Sequence, residues 1–256
     1  MKHTLKFIIN FLLLVSATAF SQTVTNVDSL PKTTVVKDTA VPVYPQRYGL
    51  RVGVDLYRLA RSFYEDGYKG IELVGDYRLK KKLYAAAELG TLDYTIDEPQ
   101  LNYTTKGSYL KIGVDYNTYE NWLDMENMIY VGGRYGFSSF SQTLNTYTVY
   151  QNSNIDGTGN YLTDVTINAD REYKALSAHW VEFVAGLKAE LFNNVFLGFS
   201  LRLNYLITDK KPTDFDNLYI PGFNRTYDGK FGVGLNYTIS YFIPLYKKQP
   251  VKPETN

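Results

Sequence analysis

The chain has 256 residues, a net charge of +1, no cysteine, and tyrosine at 24 positions. Near-neutral charge argues against nucleic-acid binding and against strong steering of an ionic partner. Without cysteine there are no disulfides, thiolate metal sites or lipid attachment through a cysteine, and the length suits one domain.

Lys2 and Lys6 flank an apolar run from Phe7 to Val15, and Ser16, Ala17, Thr18 and Ala19 follow. A charged start, a short apolar centre and a small-residue exit make a secretory signal, with cleavage expected after Ser21. The run is far shorter than the ~20 residues a spanning helix requires. Residues 1–21 are therefore read as signal, and 22–46, with Pro31, Pro42 and Pro45 and no sustained period, as a flexible periplasmic lead.

From Tyr48 the pattern changes. Tyr48, Leu50, Val52, Val54 and Leu56 share one parity, against Gly49, Arg51, Gly53 and Asp55. The same split recurs at Val195, Leu197, Phe199, Leu201, Leu203 and Tyr205, against Phe196, Gly198, Ser200, Arg202 and Asn204. It returns at Phe231, Val233, Leu235, Tyr237, Ile239 and Tyr241, against Gly232, Gly234, Asn236, Thr238 and Ser240. Period two means strands whose faces meet different surroundings. One face is apolar with aromatics at its ends, and the other mixes glycine with full charges. That pattern predicts an all-β fold, an eight-stranded antiparallel transmembrane β-barrel of up-and-down type, apolar outward and polar inward.

Strands are expected at 48–62, 69–80, 83–96, 104–118, 128–149, 161–190, 195–208 and 229–245, within a barrel domain at 47–246 and ahead of a tail at 247–256. Each exceeds the roughly 9–11 residues that cross hydrocarbon when tilted. Lys80-Lys81-Lys82, 119–127 and Asn193-Asn194 are the short periplasmic connections; 63–68, 97–103, 150–160 and 209–228 are the outer ones. An even strand number puts both chain ends in the periplasm, with the barrel multi-pass in the cell outer membrane. Strands five and six look too long for the bilayer. Tyr147, Tyr150 and Tyr161, with a turn at Asp156-Gly157, predict a projecting hairpin suited to partner contacts.

Parity sends Arg51, Asp55, Glu72, Asp76, Arg78, Glu88, Lys111, Asp115, Arg134, Glu182, Lys188 and Arg202 inward, six basic and six acidic. Eight strands enclose a space just wide enough for side chains to fill. Unpaired buried charges cost several kcal/mol, so the two signs should pair across the lumen. Balanced signs also argue against a selective pore, which would carry rings of one sign.

Catalytic chemistry has little material. Once His3 leaves with the signal, His179 is the only histidine; Ser177 shares its face, but Glu182 has the opposite parity and cannot orient it. Asn152, Asn154, Asp156 and Gly157 open like a calcium loop, but Thr163 stands where the closing acid belongs and Asp164 comes one later. Gly232-Val233-Gly234 lies inside a strand and is no nucleotide motif. No catalytic, metal or cofactor-binding residue is therefore assigned, and no cofactor is expected.

With its alternating strands over 48–246 and the signal ending Ala19-Phe20-Ser21-Gln22, the chain resembles small outer-membrane barrels of the OmpX/OmpA-like kind found in Bacteroidota. It looks most like a family of that phylum without an assigned function. The resemblance implies outer-membrane lipid and lipopolysaccharide as surroundings, and other outer-membrane proteins as partners. It also implies O-glycosylation at Asp-Ser/Thr-aliphatic sites, matched by Ser29 and Thr39 in the lead. The function expected is a non-enzymatic surface or accessory interaction protein, free-standing or docked to a larger insertion, secretion or uptake assembly. A small channel and a lipid-modifying enzyme are the alternatives.

Overall fold

A computed structural model describes residues 45–119, 125–149, 165–213, 215–225 and 229–248. The alternating segments form eight strands: β1 (Gln46–Asp55), β2 (Tyr68–Arg78), β3 (Leu83–Glu98), β4 (Leu101–Asn117), β5 (Met128–Val149), β6 (Val165–Phe192), β7 (Val195–Lys210) and β8 (Phe231–Lys248). Every neighbour in sequence pairs antiparallel, and β8 closes on β1 through pairs such as Val52↔Tyr241, completing a closed barrel. No described helix is long and apolar enough to cross a membrane.

Because side chains alternate across each strand, closure sorts them by parity. Leu201 is 54% exposed on the outside, while its neighbour Arg202 is 5% exposed within. Leu203, Val233, Leu235 and Ile112 are likewise exposed, whereas Phe196, Asn204 and Asn236 are buried. A wall of exposed aliphatics around a polar interior is the reverse of a water-soluble barrel, and it is the pattern of a transmembrane one.

The first strand is shorter than the expected 48–62. It stops at Asp55, and a helix, α1 (Leu56–Tyr64), follows. The Asp55 carboxylate accepts hydrogen bonds from the backbone N–H of Tyr57 at 2.8 Å and Arg58 at 3.3 Å, satisfying amides that a helix start otherwise leaves open. Leu56 therefore begins the helix instead of continuing the lipid-facing row. Tyr48 also departs from that row: the β1–β8 register shifts between Tyr48 and Gly49, and Tyr48 is buried, stacked 5.1 Å from Tyr246 and beneath Arg78.

The expected loop at 97–103 shrinks to Pro99 and Gln100, because β3 and β4 stay paired as far as Glu98↔Leu101. At the same end, hereafter the loop end, residues 218–224 dip back into the barrel. Ile220 and Asn224 bond to each other through their backbones, and Gly222 takes φ +83° between them. A Cβ there would meet the Tyr109 ring at 2.6 Å, so glycine meets two demands at once. The turn drives Ile220 and Phe223 into contact with Tyr109, Phe140, Trp180 and Leu206, and Tyr219 into a second cluster with Tyr68, Leu92, Ile96 and Tyr103; together they make a stopper of apolar side chains in the mouth. Gly136 makes room for Trp180, whose ring would lie 2.1 Å from an added Cβ.

β5 and β6 remain paired to Val149↔Val165, well past the last β6–β7 pair, Ser177↔Lys210. The expected extension is present in its described part. Tyr150, Asp156, Gly157 and Tyr161, the calcium-like residues 152–164, and Ser29 and Thr39 lie outside the described residues. Bulges bend the extension: Asn145 is extra on β5, and Asp170 and Ala175 on β6 take φ of +42° and +55°.

Candidate functional site

The lumen is the one place where the described chain concentrates charge. Three oppositely charged inward pairs stand directly across from each other on neighbouring strands: Arg51↔Asp76, Glu88↔Lys111 and Arg134↔Glu182. Side chains from opposite walls then complete the central layer. Arg202 on β7 reaches Glu88 on β3 with two nitrogens, at 2.6 and 2.9 Å, and Glu182 at 3.0 Å. Lys111 lies 3.2 Å from Glu182 and 3.5 Å from Glu88. Arg134 contacts Asp115 at 2.8 Å and Glu88 at 3.4 Å, and the Trp180 indole donates to Glu182 at 2.7 Å.

A second layer sits toward the loop end around Glu72. Its carboxylate accepts from the Tyr109 hydroxyl at 2.5 Å, from Arg58 at 3.1 Å and from Asn236 at 2.6 Å. Asn236 also donates to Asp55, which ties β8 to the start of α1. Above this layer Arg61 lies over the rings of Tyr68 and Tyr94 and donates to Glu65 at 2.8 Å, holding the Glu65 carboxyl below the usual range.

The opposite end, where β1 begins, β8 ends and the β2–β3 and β6–β7 turns lie, holds a third layer. Lys188 and Asp76 are 2.5 Å apart, and Arg51, 3.6 Å from Asp76, lies over the Phe196 ring. At the rim Arg78 meets Glu126 at 2.9 Å, and Arg47 meets Glu190 at 2.8 Å. These rim partners tie Glu126 to β1 and β2, and the end of β6 to β1.

All twelve charges assigned inward by parity lie in this interior, Lys188 being the least buried. Sequence reasoning did not include Arg58, Tyr109, Glu126, Arg47 or Glu190 among the charge partners. The Asp55-x-x-Arg58 spacing at a helix start was the available signal for Arg58, since residues three apart share a helix face. Tyr109 has the same inward parity as Lys111, so its direction, though not its partner, was readable.

The hydrolase-like trio does not assemble. His179 faces outward, where its Nδ1 lies 2.8 Å from the Tyr135 hydroxyl and its ring 4.9 Å from Phe137, while Glu182 points inward to Arg202 and Trp180. Within β8, Gly232 lies under Phe223, where a Cβ would come within 2.9 Å of the ring, and Gly234 faces Arg202 at an ordinary contact distance. No group of three or more metal-ligating side chains occurs among the described residues.

No curated protein matches the chain. Among solved structures it is similar to Neisserial surface protein A (NspA), at 10% identity over 77% of this chain and 95% of that one, with a TM-score of 0.40. It is also similar to Ail, the attachment invasion locus protein of Yersinia pestis, at 12% identity over 77% of this chain and 98% of that one, with a TM-score of 0.37. A family model described as a domain of unknown function, DUF6048, matches residues 4–248.

Proposed function

The chain belongs to the DUF6048 family, and we propose that it is a non-enzymatic outer-membrane interaction protein whose lumen is closed to ions and whose contacts run through the β5–β6 hairpin. Both chain ends lie on the periplasmic side in this reading, and the loop end faces outward. The partner is another outer-membrane protein or assembly.

One observation carries the reading. Beyond the Asn145 bulge, Tyr147, Val149, Val165 and Ile167 share one face of the hairpin and are 36–43% exposed. Thr146, Thr148, Thr166 and Asn168 occupy the other face, with Thr148 and Thr166 hydrogen-bonded at 3.1 Å. Buried Tyr103 pairs with Leu144 on the lumen side, and Leu101, two residues earlier on β4, pairs with Tyr147. The apolar strip is thus on the lumen side of the sheet, overhanging the mouth, and not on the lipid side. Exposed apolar area of this kind, clear of lipid, is what an interface core uses. Bulges along the β6 edge disfavour strand addition, so side chains rather than backbone would make the contacts.

Changing Tyr147 and Ile167 together to serine, or deleting residues 150–160, should leave the barrel folded and remove proteins that co-elute with the wild-type chain in mild detergent. Partners that survive both changes, and are lost only when Phe199 or Val233 is altered, would place the contacts on the barrel wall and overturn the hairpin reading.

A further inference from the structure

The loop-end half of the lumen holds a cavity of about 300 Å³, between α1, the 218–224 turn and the inner faces of β4, β7 and β8. Four cations line it, Arg58, Arg61, Lys111 and Arg202, together with the amides of Asn204 and Asn236, and no carboxylate does. Each cation has an acidic partner: Glu72 for Arg58, Glu65 for Arg61, Glu182 for Lys111 and Glu88 for Arg202. None of those four carboxylates belongs to the cavity wall. Every pair is thereby a dipole with its positive end toward the cavity and its negative end behind it.

This arrangement leaves the lumen balanced overall and the cavity electropositive at short range. Fixed dipoles aimed at a cavity stabilise an anion without reorganisation, because the carboxylates already hold the cations in place. Arg58, Lys111 and Arg202 are at most 6% exposed, so they are not solvated surface charges. The volume is ample for a tetrahedral oxyanion with several waters, at about 30 Å³ per water. Half-exposed Tyr57 and part-buried Arg61 border the cavity on the α1 side. Arg202, held from behind by Glu88 and Glu182, lines the cavity on the side of the central layer.

We infer that this chamber is a binding site for a small oxyanion of the phosphate class, either a free ion or the phosphate of a headgroup. The site goes beyond the interaction reading and does not depend on it. Space for the ligand exists because β8 places Gly234 opposite Arg202; a Cβ there would lie 3.5 Å from the Arg202 side chain, an ordinary contact. A side chain at 234 would project toward Arg202 and take up part of the chamber.

The full chain, refolded in detergent, is titrated with inorganic phosphate by calorimetry against chloride at matched ionic strength, and glycerol phosphate is used in a second arm. Saturable, one-site binding of phosphate or glycerol phosphate is expected, weakened about tenfold by Arg61→Gln, as for loss of one charge-assisted contact. Gly234→Ile should abolish it. Tighter binding of phosphate assigns the chamber to the free ion, and tighter binding of glycerol phosphate to a headgroup; both support the site. The proposal fails if neither compound binds beyond the chloride control, or if both variants bind as the wild type does. Arg61 lies on the last turn of α1, away from the central layer, so Arg61→Gln keeps the test readable where Gly234→Ile disturbs Arg202.

Discussion

Replacing Glu88 with alanine is expected to destabilise the barrel by about 3–5 kcal/mol, the range for removing one partner from a buried ion cluster. Glu88 is the shared acceptor of the central layer, in contact with Arg202, Lys111 and Arg134. Its loss leaves Arg202 to Glu182 alone and removes one of the two acids beside Arg134. The cost arises from charge stranded away from water, not from lost contact area. Changing Glu88 and Arg202 together to methionine should therefore recover much of it, since the pair leaves as a unit. Urea unfolding from lipid vesicles measures both variants. A cost below about 1 kcal/mol for the single change would mean that water reaches the layer freely, as in a surface pair.

Leu201→Arg should cost about 2–4 kcal/mol in the same assay, whereas Tyr205→Arg, nearer the loop end, should cost no more than about 1 kcal/mol. The difference follows from depth: a charge at mid-bilayer loses its hydration, and one near the interface reaches water. Single cysteines give a second readout. Lipid-phase reagents should label positions 201 and 235, which pair across β7 and β8 on the outer face, and spare 202 and 236, which are buried on the inner one. Strong labelling at 202 and 236 instead would reverse the parity.

That parity was the most legible property of the chain, because period two needs only local sequence and each strand repeats it. All eight strands overlap their expected ranges for this reason. The helix was hidden because Leu56 keeps the phase of Val52 and Val54. Asp55 fits an inward strand position and a helix cap equally well, and only the tertiary position of Glu72 and Asn236 favours the cap. The bulges at Asn145, Asp170 and Ala175 carry no glycine to announce them, so the change of face along the hairpin was not readable.

Within the lumen, direction was readable and partnership was not. Arg202 and Glu88 are 114 residues apart and on opposite walls, a contact that depends on closure and register together. The apolar stopper had a signal in Tyr219-Ile220-Pro221-Gly222-Phe223, a turn dipeptide flanked by large apolar residues inside a polar connection. Such residues need a core to enter, and in a barrel the nearest one is the mouth.

Planar-bilayer recording puts the proposal of a closed lumen to its most direct test. Three layers of paired charge and the apolar stopper occupy the interior of a barrel whose strand number leaves little spare width. Purified wild-type protein should insert and give no steady conductance above the bare bilayer. Reproducible, steady currents whose size or ion preference shifts with Arg134→Gln or Glu182→Gln would show ions passing through the charged layer and contradict a closed barrel.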